Sequence, residues 1–182
     1  SDWVKNDKGR CFKAMQVSMY KASVATFQKH LHALDGILDK AAAYCEARKI
    51  DPAVLLAQRL YPDMFDCKRQ IKEACAFAGQ ATARLAGLVV PASEGDDKTI
   101  GDVKARIAAS QAFLTTIKPY QLEGAAEKTL TIKVGPSEMT FSGEDYLLHF
   151  ALPNFYFHCS TAYGILRHNG LEIGKRDFMR RT

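Results

Sequence analysis

Asn154 and His158 carry the strongest chemical signal in this sequence. They stand one helical turn apart in the 21-residue run Tyr146 to Leu166, YLLHFALPNFYFHCSTAYGIL, which holds no Asp, Glu, Lys or Arg. A helix that is apolar on nearly every side is a buried helix. A polar side chain buried within it costs about 1–3 kcal/mol unless it finds a partner. Residues four apart share a helix face, so Asn154 and His158 point at one spot, and Thr161, Ile165 and His168 continue their stripe. Imidazole is a ligand for zinc, nickel or iron, whereas an amide oxygen is a harder and weaker donor. The same pair also reads as a core histidine satisfied by Asn154 or by a buried water.

The other histidines are less informative. His168 falls at the predicted helix end and suits the C-terminal dipole. His149 lies on a neighbouring side of the same helix, and His30 and His32 flank Leu31 and are expected to face solvent. A second set of donors, Asp63, Asp66 and Gln70, is spaced i, i+3, i+7 on a predicted second helix beside Met64, Cys67 and Ile71. One of these could reach His158 across a helical core. The alternative is an exposed polar face shared with Lys68, Arg69 and Glu73. Tyr156, Phe157 and Tyr163 would line or border a small-molecule pocket around Asn154 and His158.

The five cysteines, Cys11, Cys45, Cys67, Cys75 and Cys159, are odd in number and show no CxxC spacing. They read as buried reduced thiols of a cytoplasmic protein rather than as a disulfide framework or a structural zinc site. Neither Cys67 nor Cys159 has a cation-rich sequence setting that would activate it.

These side chains need elements to position them. Tyr20, Val24, Phe27, Leu31, Leu34, Leu38, Ala41 and Cys45 recur at three- and four-residue steps and predict a first helix over 20–48. Asp51-Pro52 is a cap followed by a first helical residue, opening a short piece over 53–59. The second helix is expected from Pro62-Asp63 to Ala86, stopped by Gly87. A third runs from Thr99, with Asp102 in a capping-box position, to just before Pro119. Leu130, Ile132 and Val134 alternate with Thr129, Thr131 and Lys133, and Gly135-Pro136-Ser137 breaks the run, which predicts a β-hairpin over 128–141. The fourth helix starts after Ser142-Gly143 and ends at Asn169-Gly170, with Pro153 expected to bend it. The fold class is therefore all-α: an up-down four-helix bundle with a small hairpin before the last helix. Such bundles place ligand and metal sites between facing helices.

Composition suits one soluble domain: 182 residues, 47% hydrophobic, 25% charged and a net charge of +5. No basic stripe is interleaved with aromatics, so nucleic acid is not an expected partner. The Tyr146–Leu166 run is long enough to span a bilayer, but it contains His149, Pro153, Asn154 and His158, and the amphipathic helices need it as their core. Residues 1–14 lack clear periodicity and read as a disordered extension or a cloning remnant, with Met15 or Met19 as the natural start and the single domain over 15–182.

The segment GEDYLLHFALPNFYFHCSTAYGILRHNG, with PDMF at residues 62–65 and the terminal GKRDFM, resembles an uncharacterised bacterial domain family of the DUF1993 type. That family is grouped with the DinB/YfiT-like four-helix bundles, a superfamily of metalloenzymes. The resemblance covers about residues 15–180. It implies a site of three metal-binding histidines, one on the second helix and an HxxxH pair on the last. His158 matches the second histidine of that pair, and Leu166, Arg167 and Gly170 follow at the family's distances. Asn154 stands where the first histidine would be, and Gln70 is the nearest match on the second helix, with Asp63 and Asp66 as alternates. What the resemblance implies is a metal-dependent protein with a degenerate site for zinc, nickel or manganese, with thiol-linked transferase chemistry among its relatives and a tendency to form homodimers. Two other readings stand beside it: a metal-free bundle that binds a small molecule, and a purely structural bundle.

Overall fold

Apolar residues at helical spacing dictate four long helices. The computed structural model describes residues 3–5, 11–13 and 17–179, the first two stretches as backbone. The helices are α1 (Thr26–Arg48), α3 (Cys67–Ala86), α4 (Ile100–Thr116) and α6 (Leu152–His168). Short elements lie between and after them: α2 (Pro52–Leu56), α5 (Gly143–Asp145) and α7 (Lys175–Met179). Strands β3 (Thr129–Val134) and β4 (Ser137–Ser142) pair antiparallel from Thr129↔Ser142 to Val134↔Ser137. Gly135 takes φ 58° in the two-residue turn, a conformation glycine adopts without strain. Strands β1 (Trp3–Lys5) and β2 (Cys11–Lys13) also pair antiparallel. Part of the segment expected to be a structureless extension is therefore a strand pair, in which Trp3, Val4 and Phe12 are of types that favour extended backbone.

The long helices touch in a ring: α3 lies against α6 and α4, and α1 lies against α4 and α6, with α7 on α1. Inside are Phe27, Leu31, Leu34 and Leu38 of α1, Ile71 and Leu85 of α3, Val103 and Leu114 of α4, and Phe155 and Ile165 of α6. Ala74, Ala78 and Ala81 on α3 are fully buried and small, which lets α6 approach closely. Phe27 meets Phe155 edge-on at 4.8 Å, within the favoured range for aromatic pairs. Among the described residues no helix is long and apolar enough to cross a membrane.

Caps set the ends. Asp51 accepts from the Ala53 amide (2.9 Å) to start α2, and Thr99 and Asp102 form the expected capping box of α4. α3 begins later than its spacing predicts. Its cap is Asp66, which accepts from the Arg69 amide at 2.9 Å, while residues 62–65 form a turn whose Pro62 and Met64 carbonyls accept from Arg59. Asp63 is thereby left exposed and off the helix.

The last helix begins with Ser142 accepting from the Asp145 amide (3.0 Å). Gly143 fits where no other residue can, since a Cβ there would lie 1.8 Å from the Ala125 carbonyl oxygen. Tyr146–Ala151 then winds as a π turn, with the Leu152 amide bonded to the Leu147 carbonyl five residues back. Pro153, which has no N–H to donate, follows closely on this π turn inside a continuous helix.

Candidate functional site

His158 projects from α6 towards α3, and its partner is Gln70 rather than Asn154. His158 Nδ1 lies 2.7 Å from Gln70 Oε1 in a buried contact. Gln70 Nε2 donates to the Phe65 carbonyl at 3.2 Å, which fixes the amide with its oxygen towards the imidazole. An amide oxygen only accepts, so Nδ1 carries the proton and Nε2 of the neutral ring keeps its lone pair. The ring stacks on Phe77 (5.6 Å, 25° between planes) and meets Phe157 edge-on at 5.4 Å. Gln70 is 1% and His158 8% exposed. Among the described residues no sealed polar side-chain atom lacks a partner, so Nε2, which is bonded to none of them, reaches solvent. Burial pulls the His158 pKa below the ordinary imidazole value and Arg69 adds to this, while Glu73 pulls the other way. The ring is held neutral, oriented and able to accept.

Asn154 does not meet His158. Its Nδ2 donates to the Phe150 carbonyl at 2.7 Å, serving the backbone of the π turn. Tyr156 and Tyr163 also lie elsewhere. Tyr156 packs on His30 at 5.0 Å, and Tyr163 packs on Phe178 at 5.8 Å with its hydroxyl 3.5 Å from the Ile173 carbonyl. At about 100° per residue, positions two before and five after His158 fall roughly opposite it on the helix. Exposed Phe157 does border the imidazole. His30, expected to face solvent, is buried: its Nδ1 bonds the Thr26 carbonyl (3.0 Å), and Phe155, Tyr156 and Phe178 surround its ring. His32 and His168 are exposed, and exposed His149 lies 3.8 Å from Asp145.

Phe77 escaped the sequence reading, which placed Arg69 and Glu73 only on an exposed polar face and Phe65 only in the PDMF motif. Spacing could have found Phe77, because it lies seven residues after Gln70 and so on its face. Arg69 lies over the Phe65 ring at 4.7 Å and donates through Nε to Glu73 at 2.5 Å.

The donors do not fit a three-ligand metal centre. Gln70 is spent on Nδ1 and on the Phe65 carbonyl, Asn154 is turned to Phe150, Asp66 caps α3 and Asp63 stands on the preceding turn. Among the described residues no three His, Cys, Asp or Glu side chains come together as a metal-holding group. The thiols are poor substitutes as nucleophiles: Cys45, Cys67, Cys75 and Cys159 are free and buried. Burial pushes Cys67 and Cys75 up to about 12 and Cys159 well above the ordinary thiol value, which leaves little thiolate at neutral pH.

A crystal structure of a DinB family member protein from Shewanella denitrificans is similar to this chain, with a TM-score of 0.82 and 36% identity over 90% of this chain and 93% of that one. No curated protein matches the sequence. The model of the domain of unknown function DUF1993 matches residues 19–179, and the helical fold with its hairpin agrees with the DinB-like neighbour, so the chain belongs to the DUF1993 family of the DinB-like superfamily.

Proposed function

We propose that this protein is a DinB-like up-down bundle that binds a small neutral molecule at His158, with no resident divalent metal. The ring of contacts among the four long helices supports the up-down arrangement. The observation that carries the binding reading is the Gln70–His158 contact of 2.7 Å. It spends Nδ1, fixes the tautomer and leaves Nε2 as a lone acceptor beside Phe77 and Phe157. Such an acceptor in an aromatic setting suits a ligand that offers an O–H, N–H or S–H and an apolar body. A depressed imidazole pKa favours a neutral partner, because the ring stays uncharged at neutral pH.

Histidine-selective 15N labelling tests the reading in buffer containing EDTA. The free protein should show Nδ1 protonated and Nε2 bare, and members of a panel of small phenols and thiols should shift the Nε2 signal saturably. Stoichiometric retention of zinc, nickel or manganese by untagged protein, with that signal moved by the metal and by no organic compound, would overturn it.

A further inference from the structure

On the side of α3 away from His158, the loop of residues 91–98 is fastened by three cations. Lys68 pairs with Asp96 at 2.8 Å and Lys72 donates to the Gly95 carbonyl at 2.7 Å. Arg106 of α4 holds Asp97 in a fork, Nε to Oδ2 at 2.6 Å and Nη2 to Oδ1 at 2.9 Å, and Nη2 also donates to the Glu94 carbonyl at 3.0 Å. The Arg106 and Asp97 side chains are only 13% and 9% exposed. Between the loop, α3 and α4 lies a cavity of about 340 Å³, at the small end of the range of roughly 300–1,000 Å³ usual for small-molecule sites. Gly79 lets the loop close over it, since a Cβ there would stand 3.0 Å from Pro91 Cγ.

A guanidinium has five N–H donors. Nε and Nη2 of Arg106 are occupied, whereas Nη1 makes one contact, 3.5 Å from Ser93 Oγ. Both Arg106 and Ser93 line the cavity, and Ala105, Ala109 and Phe113 give its α4 wall an apolar surface, faced by Ala76, Pro91 and Ala92. Asp97 neutralises Arg106, and Asp102 stands in the same wall, so the charged lining sums to about −1 and disfavours an anion. Cys75 at the back is inert, 4% exposed and protonated.

We infer that this cavity is a second ligand site, for a small neutral amide or other carbonyl compound with an apolar body. The carbonyl oxygen accepts from Arg106 Nη1 and Ser93, and the apolar body lies on Ala105, Ala109 and Phe113. The site is separate from His158, and its test separates the two. The probe is acetanilide, added to the 15N-labelled full chain, with benzoate as the charged comparison. Backbone signals of Ser93, Ala105 and Ala109 and the Arg106 Nε–H should shift saturably with acetanilide and not with benzoate. Ala109→Phe, at an exposed position, should abolish the saturation while the rest of the spectrum is retained; Ala105→Phe serves if that variant fails to fold. The inference is overturned if acetanilide gives no saturable shift, if saturation survives cavity filling, if benzoate binds as tightly, or if the shifts fall on Gln70, Phe77 and His158 instead.

Discussion

Helix α3 carries a polar contact on each of two sides, and the two are built on opposite electrostatics. Towards α6, Gln70 and His158 form a neutral pair between two rigid helices, with one lone pair to spare. Towards α4, α3 supports a loop held by the Arg106–Asp97 ion pair, with one N–H group to spare. The neutral pair needs no counter-charge, and its geometry follows from side-chain spacing on two helices. The ion pair is expensive to break, because each partner left alone would be a desolvated charge. One side therefore tolerates a change of chemistry, and the other resists it.

The sharpest way to break this contrast is Asp97→Ala. It strands Arg106 in a wall where that side chain is 13% exposed, and should cost about 3 kcal/mol or somewhat more. Urea unfolding followed by circular dichroism measures the loss; a cost no greater than that of Gln70→Ala would erase the difference between the sides. Gln70→Ala is next, at about 2 kcal/mol, since it leaves the His158 Nδ1–H without its acceptor. The double variant Gln70→Leu with His158→Phe should recover much of that, because removing both partners leaves no orphan. A double variant as unstable as the sum of its singles would contradict the pair's neutrality.

The smallest effect is in pH. The His158 pKa is lowered in the fold by burial, so the unfolded chain binds more protons as pH falls through the imidazole range. Stability contributed by the neutral ring is present at higher pH and is lost as pH falls below the unfolded pKa, levelling off below the folded one. Urea midpoints between about pH 8 and about pH 5 should decline less in His158→Phe than in the parent chain. Arg106 adds no slope there, since a guanidinium keeps its proton. Equal slopes in parent and variant would remove His158 as the titrating group.

Much of the fold was legible because helices and hairpins are local. The stripe through Phe27, Leu31 and Leu38, the Thr99–Asp102 box and the alternation through Leu130 and Ile132 each declare an element within a few residues. The start of α3 was not legible, because Pro62-Asp63 and Asp66 both look like openings. The choice depends on Arg59 reaching the Pro62 and Met64 carbonyls and on the Cys67 amide reaching Gln58. The Gln70–His158 contact lay within reach of the sequence, since spacing made Gln70 one of three donors able to meet His158 and the resemblance favoured it, yet spacing and resemblance also set Asn154 beside His158. That argument failed because Asn154 turns back along its own helix to the Phe150 carbonyl, a side-chain-to-backbone bond that side-chain periodicity does not record. The Arg106 site was invisible, since its partners come from a loop with no period at all.

The π turn has a mechanical consequence. It is one residue richer than an α-helical turn, and it stands between two tight fits: Gly143 wedged against Ala125 upstream and the imidazole seated on Gln70 downstream. With both ends seated, the surplus residue sets the rotation of one against the other. Shortening Tyr146–Ala151 by one would force a swing of about 100° between hairpin and helix, and the weaker anchorage would be the one to let go.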